Sequence, residues 1–83
     1  MPKSAHSRDY RLFRLHLRSI REKAGLTQKD IAKALGVHQS YVSKYETGER
    51  RLDVIELRHI CRVLRLPMST FLRQLEGVLS RRA

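Results

Sequence analysis

Residues 27–48, TQKDIAKALGVHQSYVSKYETG, carry the polar side chains of this chain best suited to recognising a partner. A glutamine can bond an adenine at two points, and a lysine can donate to guanine O6 and N7. Gln39 and Lys44 supply both types within one short segment. Catalysis has no comparable footing. The chain shows no glycine-rich phosphate loop, no paired-carboxylate site and no nucleophile with an evident base, so no enzyme is expected. Of its aspartates, Asp30 and Asp53 stand in helix-capping positions. His59 and Cys61 lie two apart, which on a helix sends them to different faces, and His6 and His16 show no ligand pattern. No metal or other cofactor is expected, and Cys61 reads as a small core residue.

Two helices and a tight turn must hold the recognising residues. Thr27 is a good N-cap, and Asp30 stands where a capping box puts its acidic partner. Ile31, Ala32 and Leu35 form one apolar helix face, with Ala32 small enough to let the helices cross closely. Gly36 follows, where the turn needs a positive φ. Val37 is expected to point inward. A second helix is expected from Gln39 to Thr47, with Val42 and Tyr45 facing in and Gly48 ending it. A helix-turn-helix lays its second helix in the DNA major groove. The same spacing also suits an ordinary αα-hairpin in a helical bundle.

The longer run GLTQKDIAKALGVHQSYVSKYETGERRLD resembles the helix-turn-helix of the phage lambda repressor and Cro class, also called the Xre family. Gln28, Ala32, Gly36, Val42 and the run from Ser43 to Gly48 fall where that family's pattern expects them, and the likeness extends from about Leu17 to Leu72. Arg65 and Pro67 depart from it, standing where the family often has a glycine and a hydroxyl or acidic cap.

The resemblance implies roles for particular residues. Gln39, Ser40 and Lys44 fall on base-reading positions, with Tyr41 between them to pack on a thymine methyl or the sugar-phosphate edge. Gln28, at the start of the first motif helix, would bind a phosphate, where unpaired N–H groups and the helix dipole favour an anion. Ser43, Arg50 and Arg51 would touch the DNA backbone as well. Arg21 and Glu46 would form a partly buried ion pair that fixes the recognition helix to its scaffold. The bland alternative for Gln39 and Lys44 is an exposed polar face, and for Arg21 and Glu46 two separate surface charges. His38 either caps the recognition helix or touches DNA.

Composition agrees with a nucleic-acid partner. The 83 residues carry 18 Lys plus Arg against 8 acidic residues, a formal charge of +10, and such a chain attracts polyanions. No apolar run approaches the roughly twenty residues needed to span a bilayer. The first residues, MPKSAHSRDY, lack the apolar centre of a signal peptide, so the cytoplasm is expected.

Residues 1–6 are expected to be a disordered tail and 7–80 a single domain. A first helix, capped by Ser7 or Asp9, ends near Ala24 with a core stripe of Tyr10, Phe13, Leu17, Ile20 and Ala24. Arg8, Arg11, Arg14 and Arg18 run along one side of it, either as a solvated face or toward flanking phosphates. Asp53 and Glu56 form a capping box for a fourth helix with Val54, Leu57, Ile60, Cys61 and Leu64 inward. A fifth begins near Met68. Its Phe71, Leu75, Val78 and Leu79 are a possible dimer surface, or Val78 and Leu79 a frayed end. The expected fold is all-α, a compact five-helix bundle of the lambda repressor type.

The function expected is sequence-specific binding of double-stranded DNA by a transcriptional regulator, a homodimeric repressor on a pseudo-palindromic operator. The alternative is an antitoxin or bridging-type interaction protein that uses the same domain to bind a protein partner.

Overall fold

The structure, a computed structural model, describes residues 7–81. The expected tail, 1–6, lies outside the described residues. Five helices follow in order: α1 Arg8–Lys23, α2 Gln28–Leu35, α3 Gln39–Thr47, α4 Val54–Val63 and α5 Met68–Ser80. No strand occurs among the described residues.

Local chemistry sets most of these boundaries. The Ser7 hydroxyl accepts the Tyr10 N–H at 3.1 Å and starts α1. At α2 a reciprocal capping box forms. Thr27 Oγ1 accepts the Asp30 N–H at 3.0 Å, and Asp30 accepts the Thr27 N–H at 2.8 Å. Hydrogen bonding from Thr27, its backbone N–H first, holds the Asp30 carboxyl below its usual range. Asp53 and Glu56 repeat the device at α4, at 2.7 and 2.9 Å. α5 begins at Pro67 without a side-chain cap, and Arg65 takes a left-handed φ of 57° in the preceding turn.

α2 and α3 are too short to be stable helices alone, since isolated helices under roughly 12–15 residues are marginal in water. Packing holds them. Every helix contributes to one core: Leu17 from α1, Ile31 and Ala32 from α2, Val42 and Tyr45 from α3, Leu57, Ile60 and Cys61 from α4, and Phe71 from α5. Burying a large apolar side chain of this kind is worth about 1.5–3 kcal/mol. α3 packs against both α1 and α2, so the motif is held from two directions.

Several inward placements expected from periodicity are corrected here. Val37 is 37% exposed and Val54 62% exposed, because each sits at a helix end where the chain leaves the face that the core covers. Ala24, the C-cap of α1, is exposed for the same reason. Phe71 does not belong to a dimer surface. It is fully buried, with its ring edge-on to Phe13 at 5.9 Å and 5.4 Å from the His16 ring. Leu75 borders a cleft with Tyr10 and Phe13, whereas Val78 borders a different groove with Ile20.

Candidate nucleic-acid interface

α3 is presented at one end and clamped at the other. At its start, His38 is the N-cap: Nδ1 accepts the Ser40 N–H at 3.1 Å, and the Ser40 hydroxyl lies 3.0 Å from the same nitrogen. Gln39, Ser40 and Lys44 are all exposed, and Ser43 is partly buried. Gly36 makes the preceding turn with φ 72°, and the Val37 N–H returns to the Ala32 carbonyl at 3.0 Å. The first turn of α3 thus offers exposed polar side chains together with the positive end of a helix dipole.

The far end of α3 is tied to two other helices through Glu46. Arg21 Nε donates to Glu46 Oε2 at 2.7 Å, and Arg21 Nη2 donates to Oε1 at 3.0 Å. Gln28 Nε2 donates to the same Oε1 at 2.9 Å. Arg14 Nη1 donates to the Glu46 backbone carbonyl at 3.0 Å. Arg21 also donates to the Leu26 carbonyl at 2.8 Å, closing the α1–α2 connection around the pair. Arg21 is 9% exposed and Glu46 4% exposed, so the charges are satisfied inside the protein rather than by water. Donating to the Glu46 carboxylate raises the Arg21 pKa above its ordinary value.

A second cluster braces the side of the motif. The Tyr41 hydroxyl donates to Glu56 Oε2 at 3.1 Å, and Arg50 forms an ion pair with the same carboxylate. The Arg50 guanidinium lies 4.6 Å from the Tyr41 ring centre, a cation–π contact. Burial pushes the Tyr41 phenol up. The cluster links α3, the segment after it and the first turn of α4.

These bonds engage three of the residues expected at the DNA backbone. Gln28 Nε2, expected to meet a phosphate, donates one N–H to Glu46. The Tyr41 hydroxyl turns to Glu56 instead of outward. Arg50 contacts Glu56 and Tyr41 but stays partly exposed, and Arg51 beside it is exposed. In turn, Arg14 was missed as a scaffold residue. Its signal was present in the sequence, since Arg14, Leu17 and Arg21 recur at three and four and so share the face that packs on α3. Within the expected arginine stripe, Arg18 bonds Glu22 at 3.3 Å and Arg8 reaches the carbonyls of Leu79 and Arg81. Arg11 is exposed.

No group of three or more His, Cys, Asp or Glu among the described residues could hold a metal ion. No helix is long and apolar enough to cross a membrane among those residues. Cys61 is buried and its thiol pKa is raised by that burial.

Residues 17–71 match the helix-turn-helix family, and the chain belongs to it. A solved XRE-family-like protein from Pseudomonas syringae is 41% identical, with a TM-score of 0.80 and 88% of each chain covered. An HTH-type transcriptional regulator of Sinorhizobium medicae is 31% identical over 64 residues, 77% of this chain and 45% of the relative. A glutamine–fructose-6-phosphate aminotransferase of Methanocaldococcus jannaschii is 45% identical over 60 residues, 65% of this chain but 5% of that enzyme. The chain thus spans less than half the length of the curated relatives it matches. It is an XRE-type helix-turn-helix protein with the five-helix, lambda repressor-like fold, in a family of DNA-binding transcriptional regulators.

Proposed function

We propose that this protein is a sequence-specific regulator that binds double-stranded DNA as a homodimer and represses by occupying a pseudo-palindromic operator in the cytoplasm. The observation that carries the reading is the asymmetry of α3. Its first turns expose Gln39, Ser40 and Lys44, while Glu46 at its end is bonded to Arg14, Arg21 and Gln28. A reading head of this kind needs a rigid mount, because side chains must meet base edges in a fixed register.

Gln39 and Lys44 read bases in this proposal, and Ser40 adds an adaptable contact. Ser43 and Arg51 hold the DNA backbone, a positioning role without sequence information. Arg50, Tyr41 and Gln28 contribute from behind, by fixing the motif. No catalytic step is part of this function.

Self-association is supported by the cleft beside α5. Leu72 is 46% exposed there and Val54 62% exposed. With Leu52 and Leu75 they line a cleft of about 330 Å³ whose one charged lining residue is Asp53. A paired module gains affinity through effective concentration, which a single short recognition helix lacks.

Selection from a random duplex library at near-physiological salt tests the proposal. Enrichment of a two-fold symmetric motif, with half-sites about one helical turn apart, supports it. Folded protein that enriches no motif overturns it.

A further inference from the structure

α1 and α5 run antiparallel: Arg8 near the start of α1 reaches the Leu79 and Arg81 carbonyls, and His16 Nε2 lies 3.2 Å from Gln74 Oε1. Between them lies a groove of about 520 Å³. Its apolar floor includes Ile20, Leu66 and Val78. Lys23, Arg73 and Arg81 stand along it, and no acidic residue lines it. None of the residues of α3 borders it, so the groove is separate from the DNA-reading surface.

Gly77 lies in this groove, inside α5. A glycine in a helix interior costs about 1 kcal/mol relative to alanine. Among the described residues nothing accounts for that cost: Gly77 has no positive φ, and a Cβ built on it meets no atom within 4 Å. A bare backbone at this point keeps the trough open to something from outside.

We propose that the α1–α5 groove docks an acidic, amphipathic helix of a protein partner. Two antiparallel helices with an apolar trough between them suit a third helix, whose apolar face enters while its flanks meet the rim. Three rim cations without a carboxylate select glutamate- or aspartate-flanked segments. A second copy of this chain is a poor occupant. The chain carries +10, and a two-fold contact here would set Lys23, Arg73 and Arg81 against themselves. Self-association belongs to the other side of α5, where Leu72 and Val54 are exposed.

The test uses a fluorescent helix-forming peptide of about 15 residues, long enough for isolated helicity. Leucines recur at i, i+3, i+4 and i+7 with glutamates on both flanks. A scrambled peptide of the same composition is the control, and binding to the full chain is read by anisotropy at near-physiological salt. Saturable binding of the amphipathic peptide is expected. The scrambled peptide, Arg73→Glu and Gly77→Leu should each weaken it about tenfold or more, the scale of losing one anchor contact. Gly77→Leu fills the trough with a better helix former, so the variant folds. Equal binding of the scrambled peptide, or no effect of Gly77→Leu, overturns the proposal. So does a Gly77→Leu variant that loses self-association or duplex affinity, since the groove would then belong to a second copy or to DNA.

Discussion

Glu46 and Arg21 meet in a two-point contact, Nε to Oε2 at 2.7 Å and Nη2 to Oε1 at 3.0 Å, with both side chains buried. The pair joins the last turn of α1 to the last turn of the recognition helix. Breaking a buried pair leaves an uncompensated charge, which costs more than the pair itself contributes. Glu46→Ala is therefore expected to lose about 3–5 kcal/mol of stability in urea melts. A change under about 0.5 kcal/mol, the scale of an exposed pair, contradicts this account.

Gln28 shares the Glu46 carboxylate, so its substitution should first be felt in stability. A hydrogen bond to a charged group is worth about 1.5–3 kcal/mol, so Gln28→Ala should destabilise the fold by that order. Gln28→Glu should do worse, because it sets a second carboxylate against Glu46. Melting both variants before any DNA titration checks the point. Full stability with lost affinity would return Gln28 to a direct phosphate contact.

Gly36 and Gly48 separate two glycine costs. Both are left-handed, with φ 72° and 88°. A Cβ at Gly36 meets open space, so Gly36→Ala should cost about 1–2 kcal/mol from the backbone alone. A Cβ at Gly48 would lie 3.0 Å from Arg14 Nε and displace the side chain that holds the Glu46 carbonyl. Gly48→Ala should therefore cost more than Gly36→Ala, and Arg14→Ala should narrow the gap. Equal losses in thermal melts would argue against the Arg14 contact.

Alkaline pH probes the core beneath the motif. Burial raises the Tyr45 phenol above its ordinary value. The folded state therefore keeps Tyr45 neutral after the unfolded chain ionises. Its contribution is full below the unfolded pKa of about 10 and is lost as pH rises past that value toward the folded one. Tyr45→Phe should flatten the alkaline limb of the stability curve, measured by urea melts at a series of pH values. An unchanged limb would mean that Tyr45 titrates as in the open chain.

The sequence made the motif legible because its signals are local. Thr27 with Asp30, Gly36, and Asp53 with Glu56 each fix a boundary through neighbours three or four residues away. The Arg21–Glu46 pairing, 25 residues apart, was reached through family resemblance rather than spacing. Contacts that depend on how helices cross were not legible. The Gln28 bond to Glu46, the turn of Tyr41 and Arg50 toward Glu56, and the Arg14 reach to α3 are set by packing between elements. Phe71 was misplaced because an apolar stripe does not say which of its members the core takes.

Specificity and backbone contacts should separate by mutation. Arg51→Ala is expected to weaken binding uniformly across sequences and to lower the slope of log K against log salt by about 0.9. Lys44→Ala should instead relax preference at particular base pairs, worth about 1–3 kcal/mol of discrimination each. Titrations against a panel of single-base variants at several salt concentrations distinguish the two. Identical profiles for both substitutions would dissolve the distinction.

The most direct measurement repeats the random-duplex selection with Gln39→Ala beside the parent protein. The parent should enrich a two-fold symmetric motif, and Gln39→Ala should lose its preference at the same base-pair position in both half-sites while the remaining positions persist. A motif unchanged by Gln39→Ala would contradict the claim that the exposed start of α3 reads the sequence.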